Sequence, residues 1–408
     1  MSASFITGLD IGTSSIKSVV AENKGGKLFI RGAFLFPSAG LRKGALTELA
    51  EASQGVIRAV AEIKKISKAA AKNIYINIGT PQVKVQQSRG IVAVSRADTE
   101  IYQDDVDKVV RASQAVNLPP NRTIIHNITR EFIVDGVGDI SDPLGLSGSR
   151  LEVSSFVVDA FSPHVKNIAR VVELAGGEVG GLVFSPLVAA RPVLSRAQKD
   201  LGSVLVDMGA GTTGMAVYEE KKLVGMAKFP VGSSNISNDL AIGLKIPVDA
   251  AEKLKLGYGY ALSKDVPIRE NVELAQIYDG GSGSVSRRYV AEIIEARLAE
   301  IFDFVNNELK LLGRHGQLPG GAVFVGGGSK IPGLADLARR ELKLSSQIGM
   351  VQDGEWEIEN ESLRENLEDP EFASALGLAL WGTDDSGGFG KKDFSGFNIR
   401  NAIRYFLP

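Results

Sequence analysis

Residues 5–17 read FITGLDIGTSSIK, and this stretch decides the fold. An apolar run leads to Asp10, a turn of glycine, threonine and serine follows, and a second apolar run starts at Ile16. Apolar runs separated by small turn residues predict two strands joined by a tight turn. The Lys24-Gly25-Gly26 sequence then predicts a turn into a third strand over 28–36. The N-terminal region is therefore expected to be a three-stranded antiparallel unit.

The same plan recurs about 200 positions later in the chain. Residues 204–213 read VLVDMGAGTT, and two further apolar runs follow at 214–218 and 223–229 with a charged turn between them. Two units of the same design at this separation indicate an internal duplication. We expect two related halves.

Helical patterns follow each unit, so strands alternate with helices. Helices are predicted at 46–66, at 248–256 with Gly257 as the stop signal, and at 289–312. A strand is predicted at 74–78. This alternation is typical of α/β architecture.

The region 84–163 has a different pattern, with predicted strands at 90–94 and within 124–134 and 151–158, and a helix at 104–116. We interpret it as an inserted α+β subdomain. The predicted organisation has two lobes around a nucleotide cleft, with these bounds: first lobe 1–83 and 164–198, insertion 84–163, second-lobe core 199–240 and 322–383, small subdomain of the second lobe 241–321, linker 384–393, and amphipathic helix 394–408.

Composition restricts the class of protein. Of the 408 residues 44% are hydrophobic and 23% are charged, and the net charge is −2, as in globular proteins. Cysteine is absent, which excludes disulfides and thiolate chemistry, and three histidines disfavour a histidine-rich metal site. The 46 basic residues are offset by 48 acidic ones, so no nucleic-acid partner is expected. The first residues lack a signal-peptide pattern, and we expect a cytosolic location.

The glycine-rich turns carry the chemistry. A nucleotide triphosphate is held by backbone N–H groups of tight turns together with small hydroxyl residues and a cation. Asp10 and Asp207 each end a predicted strand just before such a turn, where a carboxylate can hold a water of a Mg²⁺ shell. Lys17 lies on the outgoing strand and could return its ammonium to the phosphates. A third turn, 323–333 (VFVGGGSKIPG), can pack under a purine or its α-phosphate.

The predicted nucleotide-binding residues lie in these three turns and two neighbouring segments. They are Asp10, Gly12, Thr13, Ser14, Ser15, Lys17, Asp207, Gly209, Gly211, Thr212, Thr213, Gly232, Glu252, Lys255, Gly326, Gly327, Gly328, Ser329 and Lys330, of which Asp10 and Asp207 are also the predicted metal ligands. Each turn taken alone could be purely structural. Together, in this order and spacing, they are the pattern of the actin, chaperone and sugar-kinase ATPase superfamily.

Glu252 and Lys255 are three residues apart on a predicted helix and so share one face. One interpretation is a surface ion pair. The other is that the pair hydrogen-bonds the ribose and frames the adenine.

The sequence resembles one family in particular, the bacterial actin-like cell-division proteins called FtsA, over nearly the whole chain. The matching segments are 8–17 (GLDIGTSSIK), 88–95 (SRGIVAVS), 130–136 (REFIVDG), 142–152 (DPLGLSGSRLE), 207–212 (DMGAGT), 251–255 (AEKLK) and the amphipathic C-terminal segment. The resemblance implies a protein that binds ATP or ADP with Mg²⁺ and polymerises at the cytoplasmic face of the bacterial inner membrane, at the division site. It also implies that the protein tethers FtsZ and recruits later division proteins.

The resemblance also places two kinds of contact. The insertion would make contacts along the filament, and the FtsZ C-terminal tail would dock on the small subdomain at roughly 240–325. Arg287, Arg288 and Arg297 there could meet an acidic peptide, or each could be a solvated helix residue.

The C-terminal segment supports membrane binding without the resemblance. Residues 391–408 carry a net charge of +3 before the terminal carboxylate, and their apolar residues recur at helical spacing. Such a helix suits an anionic lipid surface. The predicted membrane residues are Phe394, Phe397, Ile399, Arg400, Ile403, Arg404, Phe406 and Leu407. The alternative is a helix docked on the protein's own core.

Hydrolysis of ATP needs a side chain that orients or deprotonates the attacking water. Where members of the superfamily often place an acid, residues 182–190 read LVFSPLVAA and offer no carboxylate or amide. We therefore name no catalytic residue and predict slow hydrolysis or none. Two alternatives remain: an adaptor of similar fold in another machine such as type IV pilus assembly, and a kinase of the same fold, for which no further aspartate base is found.

Overall fold

The computed structural model describes residues 4–25, 27–96, 98–352, 356–358, 360–387 and 394–396. The strands are β1 (Ser4–Ile11), β2 (Ser15–Lys24), β3 (Lys27–Pro37), β4 (Leu41–Arg42), β5 (Ala45–Leu46), β6 (Ile74–Ile78), β7 (Lys84–Ala93), β8 (Arg122–Val134), β9 (Val137–Ile140), β10 (Arg150–Phe161), β11 (Val179–Phe184), β12 (Ser203–Met208), β13 (Thr213–Glu219), β14 (Lys222–Phe229), β15 (Asn271–Glu273), β16 (Ser284–Ser286), β17 (Gly321–Val325), β18 (Ser346–Ile348), β19 (Trp356–Ile358) and β20 (Phe394–Gly396). The helices are α1 (Leu49–Ile66), α2 (Gln103–Ser113), α3 (Ser162–Leu174), α4 (Ser185–Val188), α5 (Ala190–Val193), α6 (Arg196–Leu201), α7 (Ser233–Leu244), α8 (Val248–Tyr258), α9 (Arg287–Leu311), α10 (Leu334–Leu342), α11 (Glu361–Glu368) and α12 (Ala373–Gly387).

Two sheets repeat one topology. The first sheet has the order β11-β6-β1-β2-β3-β19 and the second has the order β14-β13-β12-β17-β18. Each contains an antiparallel three-stranded unit, and its first strand pairs on the other side with a parallel strand, β6 or β17. The register sets Asp10 opposite Lys17 in the first unit and Asp207 opposite Gly214 in the second. The expected α/β fold with two related halves is confirmed.

Helices cover the sheets through apolar faces with helical spacing. In α1 the buried side chains include Val56, Val60 and Ile63, which join the core of the first sheet. In α9 the buried positions include Ile294 and Leu298, which pack into the core of the second sheet. Burial of such apolar side chains contributes about 1.5–3 kcal/mol each.

The strands β7 to β10 of the inserted sheet come between β6 and β11 of the first sheet in the sequence, and with β20 they form the order β20-β8-β10-β7, with β9 pairing β8. Helix α2 packs on this sheet. At Gly90 a Cβ atom would lie 2.0 Å from the carbonyl oxygen of Val109, so glycine allows the helix to approach. Strand β7 starts at Lys84, six residues before the predicted strand, because the earlier residues pair with the end of β10.

Helix α8 continues past the stop that the sequence predicted. Gly257 lies inside the helix, which ends at Tyr258, and the amide of Gly259 donates to the carbonyl of Lys255. A glycine inside a helix costs only about 1 kcal/mol relative to alanine, so the prediction of a stop at this position was wrong.

Residues 356–358 and 360–387 lie on the first sheet. Strand β19 pairs with β3, and α12 packs against β1 and β2. The predicted second-lobe segment 322–383 is therefore divided in the structure, because the apolar face of α12 completes the core against the buried residues Val19 and Ala21.

Helix α12 meets its neighbours at backbone distance. A Cβ atom on Gly8 of β1 would lie 2.0 Å from the carbonyl oxygen of Ala375, and one on Gly377 would lie 2.1 Å from that of Val188. Only hydrogen fits at these two positions, so the helix is fixed closely against β1 and α4.

The C-terminal segment differs from the prediction where the structure describes it. Residues 384–387, predicted to be linker, continue α12, whose backbone hydrogen bonds carry on to Gly387. Phe394–Gly396 form β20, which pairs antiparallel with residues 126–128 of β8. Because this edge of β8 offers unpaired backbone groups, Phe394 begins a strand and not the predicted helix. The other predicted membrane residues, Phe397, Ile399, Arg400, Ile403, Arg404, Phe406 and Leu407, lie outside the described residues. Among the helices of the described ranges, none has the length and apolar composition needed to cross a bilayer.

Candidate functional site

A cavity of about 600 Å³ opens between the two sheets. The carboxyl ends of β1, β6 and β11 meet it from one side, and those of β12 and β17 from the other. In open α/β sheets, ligands bind outside the carboxyl ends of the strands.

The two predicted hairpin turns form facing walls of this cavity with the same internal hydrogen bond. The amide of Gly12 donates to the carbonyl of Ser15 over 3.1 Å, and that of Gly209 donates to the carbonyl of Thr212 over 3.0 Å. A Cβ atom on Gly211 would lie 2.7 Å from the hydroxyl oxygen of Thr13, so the two turns approach each other closely. This arrangement presents backbone N–H groups and hydroxyls to one space, as phosphate binding requires.

Asp10 is held by two neighbours in the cavity wall. The amide nitrogen Nδ2 of Asn77 donates to Asp10 Oδ1 over 2.5 Å, and Lys17 Nζ lies 3.3 Å from Asp10 Oδ2. The Asn77 side-chain oxygen Oδ1 in turn accepts from the backbone amide of Ile11 over 2.8 Å. Burial opposes the charge of Lys17, but the carboxylates of Asp10, Glu371 and Asp207 hold the pKa of Lys17 above its ordinary value. The ammonium therefore stays charged beside the phosphate turns.

Asp207 lies opposite, near the end of β12, and is half-buried. Burial raises the pKa of this carboxyl, and the charges of Lys228 and Lys17 act against that rise. Gly326 has φ +83°, and a Cβ atom there would lie 2.6 Å from Asp207 Oδ1. Glycine at this position therefore lets the third turn close over the carboxylate.

The acids present fit a hard cation that keeps most of its water. Within the described ranges, no cluster of three or more His, Cys, Asp or Glu side chains could hold a metal. Two separate carboxylates, Asp10 and Asp207, on either side of a phosphate-type cradle match the way Mg²⁺ is held, through waters and substrate phosphates.

The third turn is tied to the segment that precedes α12. The amide of Gly326 donates to the carbonyl of Pro370 over 3.0 Å. The ammonium of Lys330 lies 2.6 Å from Asp369 and 3.3 Å from Glu371. These bonds fix the turn beside the first sheet.

The Glu252 and Lys255 pair lines the opposite part of the cavity. Lys255 Nζ lies 2.7 Å from Glu252 and donates to the hydroxyl of Ser237 over 3.0 Å and to the carbonyl of Ser233 over 3.3 Å. The Lys255 side chain is only 5% exposed, and that of Glu252 is 42% exposed. A surface ion pair does not describe Lys255, whereas Glu252 keeps a free face toward the cavity.

The structure brings most of the predicted nucleotide-binding residues to the cavity wall. Those on the wall are Asp10, Gly12, Thr13, Ser14, Ser15, Lys17, Asp207, Gly209, Gly211, Thr212, Glu252, Lys255, Gly326, Gly327, Gly328 and Lys330. The side chains of two others are turned to the framework: the Thr213 hydroxyl donates to the carbonyl of Val231, and the Ser329 hydroxyl donates to that of Gly326. Gly232 caps α7 behind the wall, where a Cβ atom would lie 2.5 Å from the Ala210 carbonyl oxygen. These three residues therefore support the cavity wall from behind and do not face a ligand.

Sequence reasoning missed several residues of the wall. Asn77, Gly79, Ser185, Lys228 and Glu371 all line the cavity. The sequence feature that could have identified two of them is their location near the ends of predicted strands, which Asn77 and Lys228 share. Which strand ends meet in space depends on the topology of both sheets.

The three arginines considered for an acidic peptide all have partners within their own part of the chain. Arg297 pairs with Asp239 and Glu300. The other two lie at the start of α9 and donate to backbone carbonyls, Arg287 to Tyr258 and Arg288 to Val266.

Comparison with known families gives two matches along the chain. A model described as "Cell division protein FtsA" matches residues 204–377, and one described as "SHS2 domain inserted in FTSA" matches residues 81–159. The second match covers the inserted sheet without β20.

Curated relatives match over most of their length. FtsA of Pseudomonas aeruginosa is 31% identical over 382 residues, which cover 93% of this chain and 90% of the relative. FtsA of Bacillus subtilis is 33% identical, with 83% and 77% covered, and FtsA of Escherichia coli is 29% identical, with 93% and 90% covered.

Solved structures of similar fold are more distant in sequence. A chain of the PilM-PilN type IV pilus biogenesis complex has a TM-score of 0.65 at 19% identity, with 92% of this chain and 98% of that chain covered. MreB5 of Spiroplasma citri bound to ADP has a TM-score of 0.54 at 12% identity, with 94% and 99% covered. These likenesses show the actin-like ATPase fold.

Proposed function

This chain belongs to the FtsA family of cell division proteins, and from that premise we propose that it is an ATP-binding, filament-forming adaptor that holds FtsZ at the membrane. The observation that carries the nucleotide part is the pair of facing hairpin turns with their matching hydrogen bonds at Gly12 and Gly209. The phosphates of ATP or ADP would lie between these turns. MreB5, which shares the fold, has been solved with ADP bound.

The base and sugar would lie toward the second sheet. Glu252 keeps a partly exposed carboxylate at that part of the cavity, with Lys255 buried behind it. A carboxylate accepts hydrogen bonds from ribose hydroxyls, and the buried lysine fixes its position. The glycines of the third turn, 326–328, would pack against the purine and the α-phosphate.

Mg²⁺ would be held by Asp10 and Asp207 through its waters. The cation would neutralise the phosphates and the half-buried Asp207 carboxyl together. Asn77 orients Asp10 for this role through its hydrogen bond.

ATP would serve as a conformational ligand and a stabiliser of the polymer, with slow turnover or none. In the connection after β11, the hydroxyl of Ser185 donates to the carbonyl of Ile78 over 3.0 Å. Residues 182–190 contain no carboxylate or amide that could orient water. A bound ATP molecule would therefore be hydrolysed slowly or not at all.

Attachment to the membrane is proposed for the C-terminal segment. Phe397–Leu407 combine aromatic and aliphatic residues with Arg400 and Arg404, a composition that suits an anionic lipid interface. Two arginines and a short apolar face bind reversibly, so residence would need many anchors on one polymer. FtsZ tails, further copies of the chain and later division proteins would then be gathered at the cytoplasmic face of the inner membrane.

Sedimentation with liposomes tests the proposal. The full chain and a chain that lacks 391–408 are each centrifuged with anionic liposomes, with Mg-ATP and without nucleotide. We expect pelleting that depends on the tail and increases with ATP. FtsZ should pellet together with the full chain and should stay in the supernatant with the chain that lacks 391–408. Pelleting unchanged by the deletion would contradict the anchor, and pelleting without FtsZ would contradict the adaptor role.

A controlled variant separates charge from apolar contact. Arg400→Glu with Arg404→Glu should abolish pelleting with anionic liposomes as the deletion does, because both charges then oppose the lipid. A double change at Lys221, in the turn before β14, and at Lys222, the first residue of that strand, should leave pelleting intact.

A further inference from the structure

One lysine of the cavity wall has no partner in the part of the chain that the structure describes. Lys228 of β14 makes no hydrogen bond or ion pair there, whereas Lys17, Lys255 and Lys330 on the same wall each contact a carboxylate. A desolvated ammonium without a hydrogen-bonding partner is costly.

Lys228 extends from the second sheet to the end of the first. A Cβ atom on Gly79, just after β6, would lie 3.9 Å from Lys228 Cε and 2.9 Å from the hydroxyl oxygen of Ser185. A Cβ atom on Gly214 of β13 would lie 3.2 Å from Lys228 Nζ. Two glycines thus leave the space around this side chain open, at the end of the cavity where β6 and β11 finish.

The charges around Lys228 leave it in need of an anion. Burial lowers the pKa of its ammonium, and the carboxylates of Asp207 and Asp10 oppose that effect from a distance. In the described residues neither carboxylate forms an ion pair with it, and Asp10 is held instead by Asn77 and Lys17. A Mg²⁺ ion bound by the two acids would weaken their hold on Lys228 further.

We propose that Lys228 binds the terminal phosphate of a nucleoside triphosphate and thereby makes the site prefer a triphosphate to a diphosphate. This inference rests on the proposed function, because it takes the turns at Gly12 and Gly209 as the seat of the inner phosphates. A nucleotide whose ribose lies beside Glu252 and whose inner phosphates lie between the turns presents its last phosphate to the far end of the cavity. Lys228 is the cation that the described structure leaves uncommitted at that end.

Nucleotide affinities test the assignment. Wild type, Lys228→Met and Lys228→Arg are titrated with the non-hydrolysable triphosphate AMP-PNP and with ADP, each with Mg²⁺, in a calorimeter. A charge-assisted hydrogen bond to phosphate predicts that Lys228→Met raises the Kd for AMP-PNP about ten- to a hundredfold and the Kd for ADP less than twofold. Lys228→Arg should recover part of the AMP-PNP affinity.

Two further variants serve as controls. Lys222→Met removes a cation from the exposed start of the same strand, where it pairs with Asp139, and should change neither Kd. Lys255→Met acts at the ribose end and should raise both Kd values by the same factor. Lys228→Met should not lower Tm without nucleotide, because it removes a half-buried charge that has no partner in the part of the chain that the structure describes.

Each outcome has one meaning. Equal effects of Lys228→Met on AMP-PNP and ADP, or no effect on either, would overturn the inference while nucleotide binding itself stands. A wild type that binds neither ligand would instead refute the proposed function. If inorganic phosphate tightens ADP binding in wild type and not in Lys228→Met, the result supports the inference, because the free phosphate then takes the place of the terminal phosphate beside Lys228.

Discussion

His126 of the inserted sheet accepts a hydrogen bond at Nε2 from the backbone amide of Phe184, over 3.0 Å. Phe184 ends β11, and the next residue, Ser185, lines the cavity. The His126 ring is buried and packs on Trp381 of α12 with 5.6 Å between ring centroids. One imidazole therefore joins the inserted sheet, the first sheet and the cavity wall, and it can accept this bond only as the neutral ring.

Acid should weaken the fold through His126. Burial lowers its pKa from 6.5 to about 4, so between these values the unfolded chain binds a proton that the folded chain does not. The free energy of unfolding should fall by about 2 kcal/mol from this residue as the pH drops from 7.5 to 5, with the loss complete near pH 4. Urea unfolding of wild type and His126→Gln at both pH values measures it. A variant with the same pH dependence as wild type would contradict the assignment.

Asp207→Asn should remove the dependence of nucleotide binding on magnesium. Loss of one of the two carboxylates that hold the cation should raise the Kd for Mg-ATP about tenfold or more. Wild type in EDTA should resemble the variant in magnesium, as measured by titration with a fluorescent ATP analogue. Asp200→Asn, an exposed acid paired with Lys221, is the control. A strong magnesium effect that persists in Asp207→Asn would refute the metal role.

Glu252→Gln should weaken recognition of the ribose. The change keeps the shape of the side chain and removes its charge, so the Kd for ADP should rise about tenfold. The affinity for inorganic tripolyphosphate should stay the same, because the phosphates contact the turns. Asp249→Asn, in the exposed first turn of the same helix, is the matched control. Equal losses for ADP and tripolyphosphate would instead indicate a general electrostatic effect.

Turnover of ATP should be slow. We expect less than about 1 phosphate per second per chain, the lower end of ordinary enzymes, because residues 182–190, at the end of β11 and in the connection that follows it, offer no carboxylate or amide. Release of phosphate by freshly purified polymer and by protein in solution measures it, with Asp10→Ala as the background control. A rate above that bound would mean that another group activates the water.

Gly8→Ala should destabilise the protein and Gly257→Ala should stabilise it. The new methyl group on Gly8 would overlap the carbonyl oxygen of Ala375, and overpacking of this kind costs about 1–3 kcal/mol or more. The methyl group on Gly257 of α8 would meet nothing within 4 Å, and alanine gains up to about 1 kcal/mol in a helix. Chemical denaturation of both variants compares them. Similar losses for the two would argue against the tight contact at Gly8.

The sequence predicts those parts of the site whose chemistry is local. Asp10 and Asp207 stand before small-residue turns, and turn chemistry depends on a few neighbouring residues. Both reach the cavity in the structure. The fold follows in the same way, since the repeated pattern of apolar runs indicates which strands pair.

Other features depend on contacts that no short stretch contains. In the sequence, nothing distinguishes Lys228 from the other residues of its predicted strand. Its place in the cavity depends on the packing of β14 beside Gly79 of the first sheet. Gly257 carries a stop signal, but the helix continues because the apolar face of α8 is buried in the second core. Phe394 has helical spacing to later residues, yet it pairs with the edge of β8, which lies far away in sequence.

The close seat of α12 on Gly8 also decides where a mechanical load would enter the molecule. Helix α12 follows the second sheet in the chain but is fixed to the first, and β20 beyond it pairs with the inserted sheet. Tension applied from the C-terminal side would thus act directly on the first and inserted sheets. The second sheet lies on the other side of the cavity and would not bear this load directly. A pull at that end would reach a bound ligand through a change in the angle between the two sheets that form the walls of its cavity.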